Sequence, residues 1–364
     1  MVNVEGNIYK KLLEELELGN KAVMITVMDD KECGEKNCNR KILYTEDNIA
    51  NSCISDLNKV VYEKAKQSLE TGNLEFVQVN ETESYLIEPY FPEPRLIVFG
   101  GGHIAKPLVE FGARAGFLVT VIDDRPSFAN TARFPGAEKV ICESFDKCFD
   151  LINLNRSTFV VIVTRGHRHD MECLREVLKH DTAYVGMIGS KRRVKGAMEQ
   201  LVNEGYSKKK LDKVNAPIGI EIGAVTPDEI AFSIIAQVIK YRRLADGKEE
   251  KKILSKVNWP EIDRDVLMEL CEEDSLPKAI ITIISTKGSV PRKAGAKMLV
   301  WSNGKVSGSI GGGCSEGEVI VKSRYLLRDR EYEVHRVDMT AEVAEEEGMV
   351  CGGIMDVFLE PFWN

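Results

Sequence analysis

The chain of 364 residues predicts an α/β fold, a doubly wound parallel sheet inserted between two related small α+β flanking segments. Three observations carry this reading. Short, continuously apolar runs recur through residues 94–245, the stretches on either side resemble each other strand for strand, and a charged segment, ADGKEEKK at 245–252, reads as a linker before the second flank. Strands covered on both faces read as unbroken Val/Ile/Leu runs, whereas half-solvated strands alternate. The boundaries that follow are residues 1–93, 94–245 and 255–364.

Composition sets the outer limits. With 43% hydrophobic residues the chain can bury more than one core, and its length exceeds one ordinary core. A formal net charge of −8 argues against a nucleic-acid partner, which normally calls for a basic surface. No apolar run approaches the roughly 20 residues that cross a bilayer. The N-terminus, with Glu5, Glu14 and Glu15, lacks a signal-peptide pattern, so no membrane partner and a cytoplasmic location are expected. Nine cysteines at irregular spacing do not form a disulfide framework. Cys33 and Cys38 make a C-x4-C pair without a second pair, for which a plain loop is a better reading than zinc.

In the first flank, KAVMITVM at 21–28, KILYTEDN at 41–48 and YLIEPYF at 85–91 parallel KAIITIIS at 278–285, KMLVWSNG at 297–304 and VFLEPFW at 357–363. Each copy reads as short strands with one helix, at 57–70 and at 316–328. Chance similarity among Val/Ile-rich strands is the plain alternative. Two copies divided by an insertion would pack against one another, and repeated flanks are compatible with a homodimer.

The central block offers strands RLIVF at 95–99, VTVID at 119–123, KVI at 139–141, FVVIVT at 159–164 and AYVGMI at 183–188, with helix-length spacers. Gly100, Gly102 and Ala105 supply G-x-G-x-x-A after the first strand, with His103 in the turn, and Asp123 ends the second strand. Glycines let a pyrophosphate approach backbone N–H groups at a helix N-terminus, and a carboxylate at the next strand's end can accept from ribose hydroxyls. The pattern is Rossmann-like, and Arg125 beside Asp123 leaves NAD and NADP both open. TRGHRHD at 164–170 starts at the fourth strand's carboxyl end, so Arg165, His167 and Asp170 read as an anion-contacting or capping loop in preference to a metal site. Ser190 opens a basic turn, GSKRR, able to meet a phosphate. Thr226-Pro227-Asp228-Glu229 is a capping box whose helix buries Ile230, Ile234, Ile235, Val238 and Ile239 on one face. Cys142, Cys148 and Cys173 read as packing or loop residues.

The second flank carries GSVPR at 288–292, with Ser289 and Arg292, and SIGGGC at 309–314. Ser315-Glu316-Gly317-Glu318 fits a capping box, which puts Cys314 just before a helix N-terminus. There the unpaired N–H groups and the macrodipole favour a thiolate, the form that accepts sulfur or binds a soft metal. Gly311, Gly312 and Gly313 leave its surroundings open, and Arg292 suits a bidentate phosphate contact.

At these residues the chain resembles the XdhC/CoxI family. GSVPR, GSIGGGC at 308–314 and CGG at 351–353 are similar to its small domain, and FGGGHIA at 99–105, TRGHRHD, YVGMIGS at 184–190 and PIGIEIGAVTPDEIA at 217–231 to its Rossmann domain. The resemblance implies a maturation factor that binds the molybdenum cofactor (molybdopterin), supports its sulfuration and delivers it to a xanthine dehydrogenase-type apoenzyme. A cysteine desulfurase-type sulfur donor is the implied second partner. Cys314 would contact the molybdenum centre or its transferable sulfur, with Ser289, Arg292 and the glycines around the cofactor's phosphate and pterin. The order of parts departs from the family's usual one, because the full motif set comes last and the first flank has only NSCISD at 51–56 where a cysteine turn might lie. A free-standing NAD(P)-dependent oxidoreductase, or a scaffold that docks the sulfur donor to the apoenzyme, are the alternatives.

Overall fold

A computed structural model describes residues 4–28, 40–49, 58–80, 83–244, 256–272, 276–329, 331–339 and 353–362. Cys33, Cys38, Cys53, the charged segment at 245–252 and Cys351-Gly352 lie outside them. Contacts divide the chain into two units, one of Met1–Phe91 with Asn258–Asn364 and one of Pro92–Val257.

In the first unit the N-terminal flank runs α1 (Val4–Glu17), β1 (Ala22–Met28), β2 (Arg40–Thr45), α2 (Glu46–Ile49), α3 (Lys59–Thr71), β3 (Glu75–Asn80) and β4 (Glu83–Tyr90). Its antiparallel sheet has the order β2-β1-β4-β3. β1 is buried along its whole length because both faces of the sheet are covered. Val23, Ile25 and Val27 pack with Val61, Ala65 and Leu69 of α3, while Ala22 and Met24 face the C-terminal flank.

The second unit is a mixed α/β domain built on a six-stranded sheet, β5 (Arg95–Phe99), β6 (Leu118–Asp123), β7 (Lys139–Cys142), β8 (Thr158–Ile162), β9 (Tyr184–Met187) and β10 (Val214–Asn215), paired in parallel. The order β10-β9-β8-β5-β6-β7 is the doubly wound arrangement, and its direction reverses between β5 and β8. One face carries α4 (Ala105–Arg114) and α8 (Pro227–Arg243), and the other α5 (His167–Val177) and α6 (Lys191–Asn203). Thr226 and Glu229 form the expected capping box on α8, whose Ile234, Ile235 and Val238 are buried. The short α7 (Lys208–Leu211) precedes β10, a strand too short to leave a mark in the apolar pattern. The spacer between β6 and β7 has helix length but forms turns, since Pro126, Pro135 and Gly136 interrupt it. Cys148 and Cys173 are buried, and burial pushes the Cys148 thiol up to about 12, an inert packing group at neutral pH.

The C-terminal flank completes the first unit with α9 (Arg264–Cys271), β11 (Lys278–Lys287), β12 (Lys297–Trp301), β13 (Val306–Gly308), α10 (Cys314–Asp329), β14 (Glu333–Asp338) and β15 (Ile354–Phe362). Its order, β13-β12-β11-β15-β14, reproduces that of the first flank with β13 added. Register corrects one detail of the sequence parallel. Ala22 pairs with Thr45 and Tyr90, and Lys278 with Trp301 and Phe362, so Ala22 corresponds to Lys278, one residue away from the alignment of Lys21 with Lys278.

The two flanks share a core in which Ala22, Met24 and Tyr90 meet Ile280, Leu299, Trp301 and Phe362. Two buried ion pairs cross this core reciprocally. Lys41 donates to Thr26 of its own flank (3.0 Å) and to both carboxylate oxygens of Glu360 (2.8 Å each). Lys297 donates to Thr282 (2.7 Å) and to Glu88 of the first flank (2.5 Å). All four charged side chains are 4% exposed or less. Corresponding residues of the two copies thus play corresponding parts, each lysine meeting the glutamate of the other copy.

Candidate functional site

In the parallel-sheet unit, the residues expected to bind a nucleotide come from the carboxyl ends of β5, β6, β8 and β9, with β5 and β8 flanking the switch point. Gly100 adopts φ 107°, and a Cβ there would lie 2.5 Å from the Val163 carbonyl, so only glycine lets the two loops approach this closely. Gly102 faces open space, His103 and His167 are exposed, and Ala105 is buried at the start of α4. Neither α4 nor α5 has a side-chain N-cap. Two helix N-termini therefore keep backbone donors for a ligand where open α/β sheets place one.

The charged residues here are tied to one another. Asp123 is 1% exposed, and its carboxylate accepts from the Gly101 amide (2.8 Å) and from the Arg125 amide, Nε and Nη2 (3.1, 2.8 and 2.9 Å). Burial alone would raise this carboxyl, but Arg125 and the two amides outweigh it and hold it below its ordinary range. Arg165, at the end of β8, grips Asp124 with both guanidinium nitrogens (2.5 and 2.8 Å). Arg133, in the helix-free spacer, donates to the carbonyls of Gly101 and Gly102 (3.0 and 3.2 Å). Asp170 is 2% exposed, bonded to the Thr164 hydroxyl (2.6 Å) and 3.6 Å from Arg193, and burial pushes its carboxyl up. Ser190 is exposed and caps α6 by accepting from the Arg193 amide (3.3 Å). Among the described residues no three His, Cys, Asp or Glu side chains converge as a metal site.

In the other unit, three motifs distant in sequence meet. A Cβ on Gly311, at φ 139°, would run into the Pro291 ring of GSVPR. A Cβ on Gly353 would lie 2.6 Å from both the Ser289 carbonyl and Val290 Cγ1. Ser289 is exposed, and Gly312 faces open space. α10 then begins at Cys314, so the cysteine is the helix's first residue, one position further in than the sequence pattern implies. The capping reading is corrected too. Glu316 Oε1 accepts from the amides of Ile310 (2.9 Å), Gly311 (3.2 Å) and Gly312 (2.8 Å) and from the Ser309 hydroxyl (2.6 Å), folding the glycine loop around itself. Arg292, expected to contact a phosphate, is engaged by Glu261 (3.1 Å) and Asp263 (2.8 Å). A phosphate there competes with two carboxylates.

Sequence reasoning misses Arg133 and the Glu261 and Asp263 pairings, which arise only from tertiary approach. The Glu316 contact does leave a signal, a carboxylate four residues after Gly312, but the serine beside it suggests a capping box instead.

Comparison with known proteins gives two family matches, the XdhC Rossmann domain over residues 96–238 and the XdhC and CoxI family over residues 271–338. An uncharacterized protein, YqeB, of Escherichia coli (strain K12) is 30% identical over 165 residues, which cover 45% of this chain and 30% of that protein. A probable xanthine dehydrogenase subunit from Bacillus subtilis (strain 168) is 29% identical over 172 residues, 47% of this chain and 50% of that one. The matched stretches thus span half or less of these curated relatives. A crystal structure described as a xanthine dehydrogenase from Bacillus halodurans aligns at 23% identity and TM-score 0.38, over 64% of this chain and 93% of that one. No helix among the described residues is long and apolar enough to cross a membrane.

Proposed function

The chain belongs to the XdhC/CoxI family, and from that membership we propose that it is a maturation factor, binding molybdenum cofactor as cargo for a xanthine dehydrogenase-type apoenzyme. The Bacillus subtilis relative, named for a xanthine dehydrogenase, supports the choice of client. The observation that carries the reading is the meeting of GSVPR, the triple-glycine loop and Gly353 at the N-terminus of α10, which Cys314 opens.

The donor chemistry fits such a cargo. Gly312 faces open space, Ser289 offers an exposed hydroxyl, and cysteine sulfur is a ligand suited to soft metals and transferable sulfur. When bound, the cargo supplies the molybdenum centre on which sulfuration takes place, with sulfur from a cysteine desulfurase-type donor. The protein's own part is to hold and orient. Glu316 fixes the glycine turn, and the carboxylates on Arg292 hold its fork until a phosphate replaces them. The Rossmann crevice takes a nucleotide.

The test is retention. Purified chain mixed with molybdenum cofactor and desalted should keep molybdenum and pterin in equal amounts, Cys314→Ala should lose most of both, and Cys53→Ala should match the wild type. Equal retention by Cys314→Ala removes that thiol from the mechanism.

A further inference from the structure

We propose that the Rossmann crevice prefers a nucleotide with a phosphate on the ribose 2′ position over one with a free ribose diol, and that Arg125 reads the difference. The inference rests on the reading that this crevice holds a nucleotide. A carboxylate at the end of the second strand selects an unmodified ribose by accepting from its hydroxyls, which requires oxygen lone pairs turned toward the ligand. A carboxylate has about four acceptor positions. Asp123 has four donors on it, all from the protein, and is 1% exposed. It holds the glycine loop and Arg125 in place and has nothing left to offer a diol.

What faces outward is the guanidinium. Arg125 uses Nε and Nη2 on Asp123, while Nη1 has no hydrogen bond among the described residues and the side chain is 32% exposed. Its Cζ lies 3.7 Å from the centroid of the Phe128 ring, a contact that holds the fork without consuming donors. Asp124, the neighbouring charge that would repel a phosphate, is covered by the two-pronged grip of Arg165. Arg133 adds a third guanidinium, 5.2 Å from the same Phe128 ring. Three arginines against two aspartates leave the rim positive, and a fixed guanidinium is the side chain best matched to a phosphate dianion.

NADPH and NADH, titrated into the full chain with nicotinamide fluorescence as the signal, test this directly. NADPH should bind on the order of tenfold tighter, the worth of one charge-assisted contact. Displacement by 2′,5′-ADP and 5′-ADP should show the same preference without any substitution in the protein. Arg125→Ala should bring the two reduced nucleotides to nearly equal affinity, with circular dichroism confirming that the variant folds. NADH binding as tightly as NADPH to the wild type overturns the inference and leaves the nucleotide reading standing. Failure of all four probes to bind overturns both.

Discussion

The two flanks keep one architecture and divide the chemistry unequally. Both present a helix before a buried first strand, an antiparallel sheet of matching order and a second helix laid on its outer face. Both supply a Lys–Thr pair and a glutamate to the crossed ion pairs. Only the second carries GSVPR and the glycine–cysteine loop. Packing constraint and functional constraint are therefore separable here. What the first copy must preserve is the face it presents to the second, and its sequence is free to differ elsewhere.

The most severe test of that view is to break a crossed pair. Lys297→Met strands Glu88 in the shared core and should cost about 3–5 kcal/mol, read as a fall in Tm and in the denaturant midpoint. Adding Glu88→Leu should recover most of the loss, because a matched apolar pair needs no desolvation. Lys41→Met should cost at least as much. Glu360 takes Lys41 on both oxygens, whereas Glu88 Oε2 is buried without a hydrogen bond. If one lysine is indifferent while the other is essential, the symmetry is one of shape alone.

A glycine in each flank separates fold from function at smaller cost. Gly311→Ala, at φ 139° and against Pro291, should destabilise by roughly 1–3 kcal/mol and also reduce cofactor retention, because the glycine loop can no longer lie against GSVPR. Gly72→Ala, at φ 71° in the C-cap of α3, where an added Cβ would run into the Asn258 carbonyl, should cost at least as much stability with retention intact. Equal loss of retention in both would mean that the two copies are not functionally distinct.

How much of this can be read from the chain depends on how local the signal is. The parallel sheet, its glycine loop and the capping box of α8 are stated by contiguous residues, and each appears where the pattern puts it. The β6–β7 spacer has helix length, yet its prolines make turns that carry Phe128 and Arg133 to the glycine loop after β5. The repeat is legible as three parallel strings, but the one-residue offset in β1 is not, since Lys21 and Lys278 match in identity and only pairing fixes register. Lys41 and Lys297 look like polar strand ends. Nothing local announces that each reaches a glutamate of the other copy, a contact separated by 319 residues in one case.

The smallest effect concerns the carboxylate that shapes the triple-glycine loop. Burial raises the Glu316 carboxyl, but the Ser309 hydroxyl and the amides of Gly312, Ile310 and Gly311 outweigh it, so its folded pKa lies below the ordinary 4.5. A depressed carboxylate contributes stability that is present above the unfolded pKa and lost as pH falls through the folded one. Glu316→Gln should therefore cost about 1 kcal/mol near pH 7, the size of a lost helix cap. The gap to wild type should narrow below pH 4.5 and close in stronger acid, where both side chains are neutral. Thermal melts across that range measure it. A gap independent of pH would mean that the glutamine's shape is at fault, and that the charge on Glu316 has no part in holding the loop the first flank lacks.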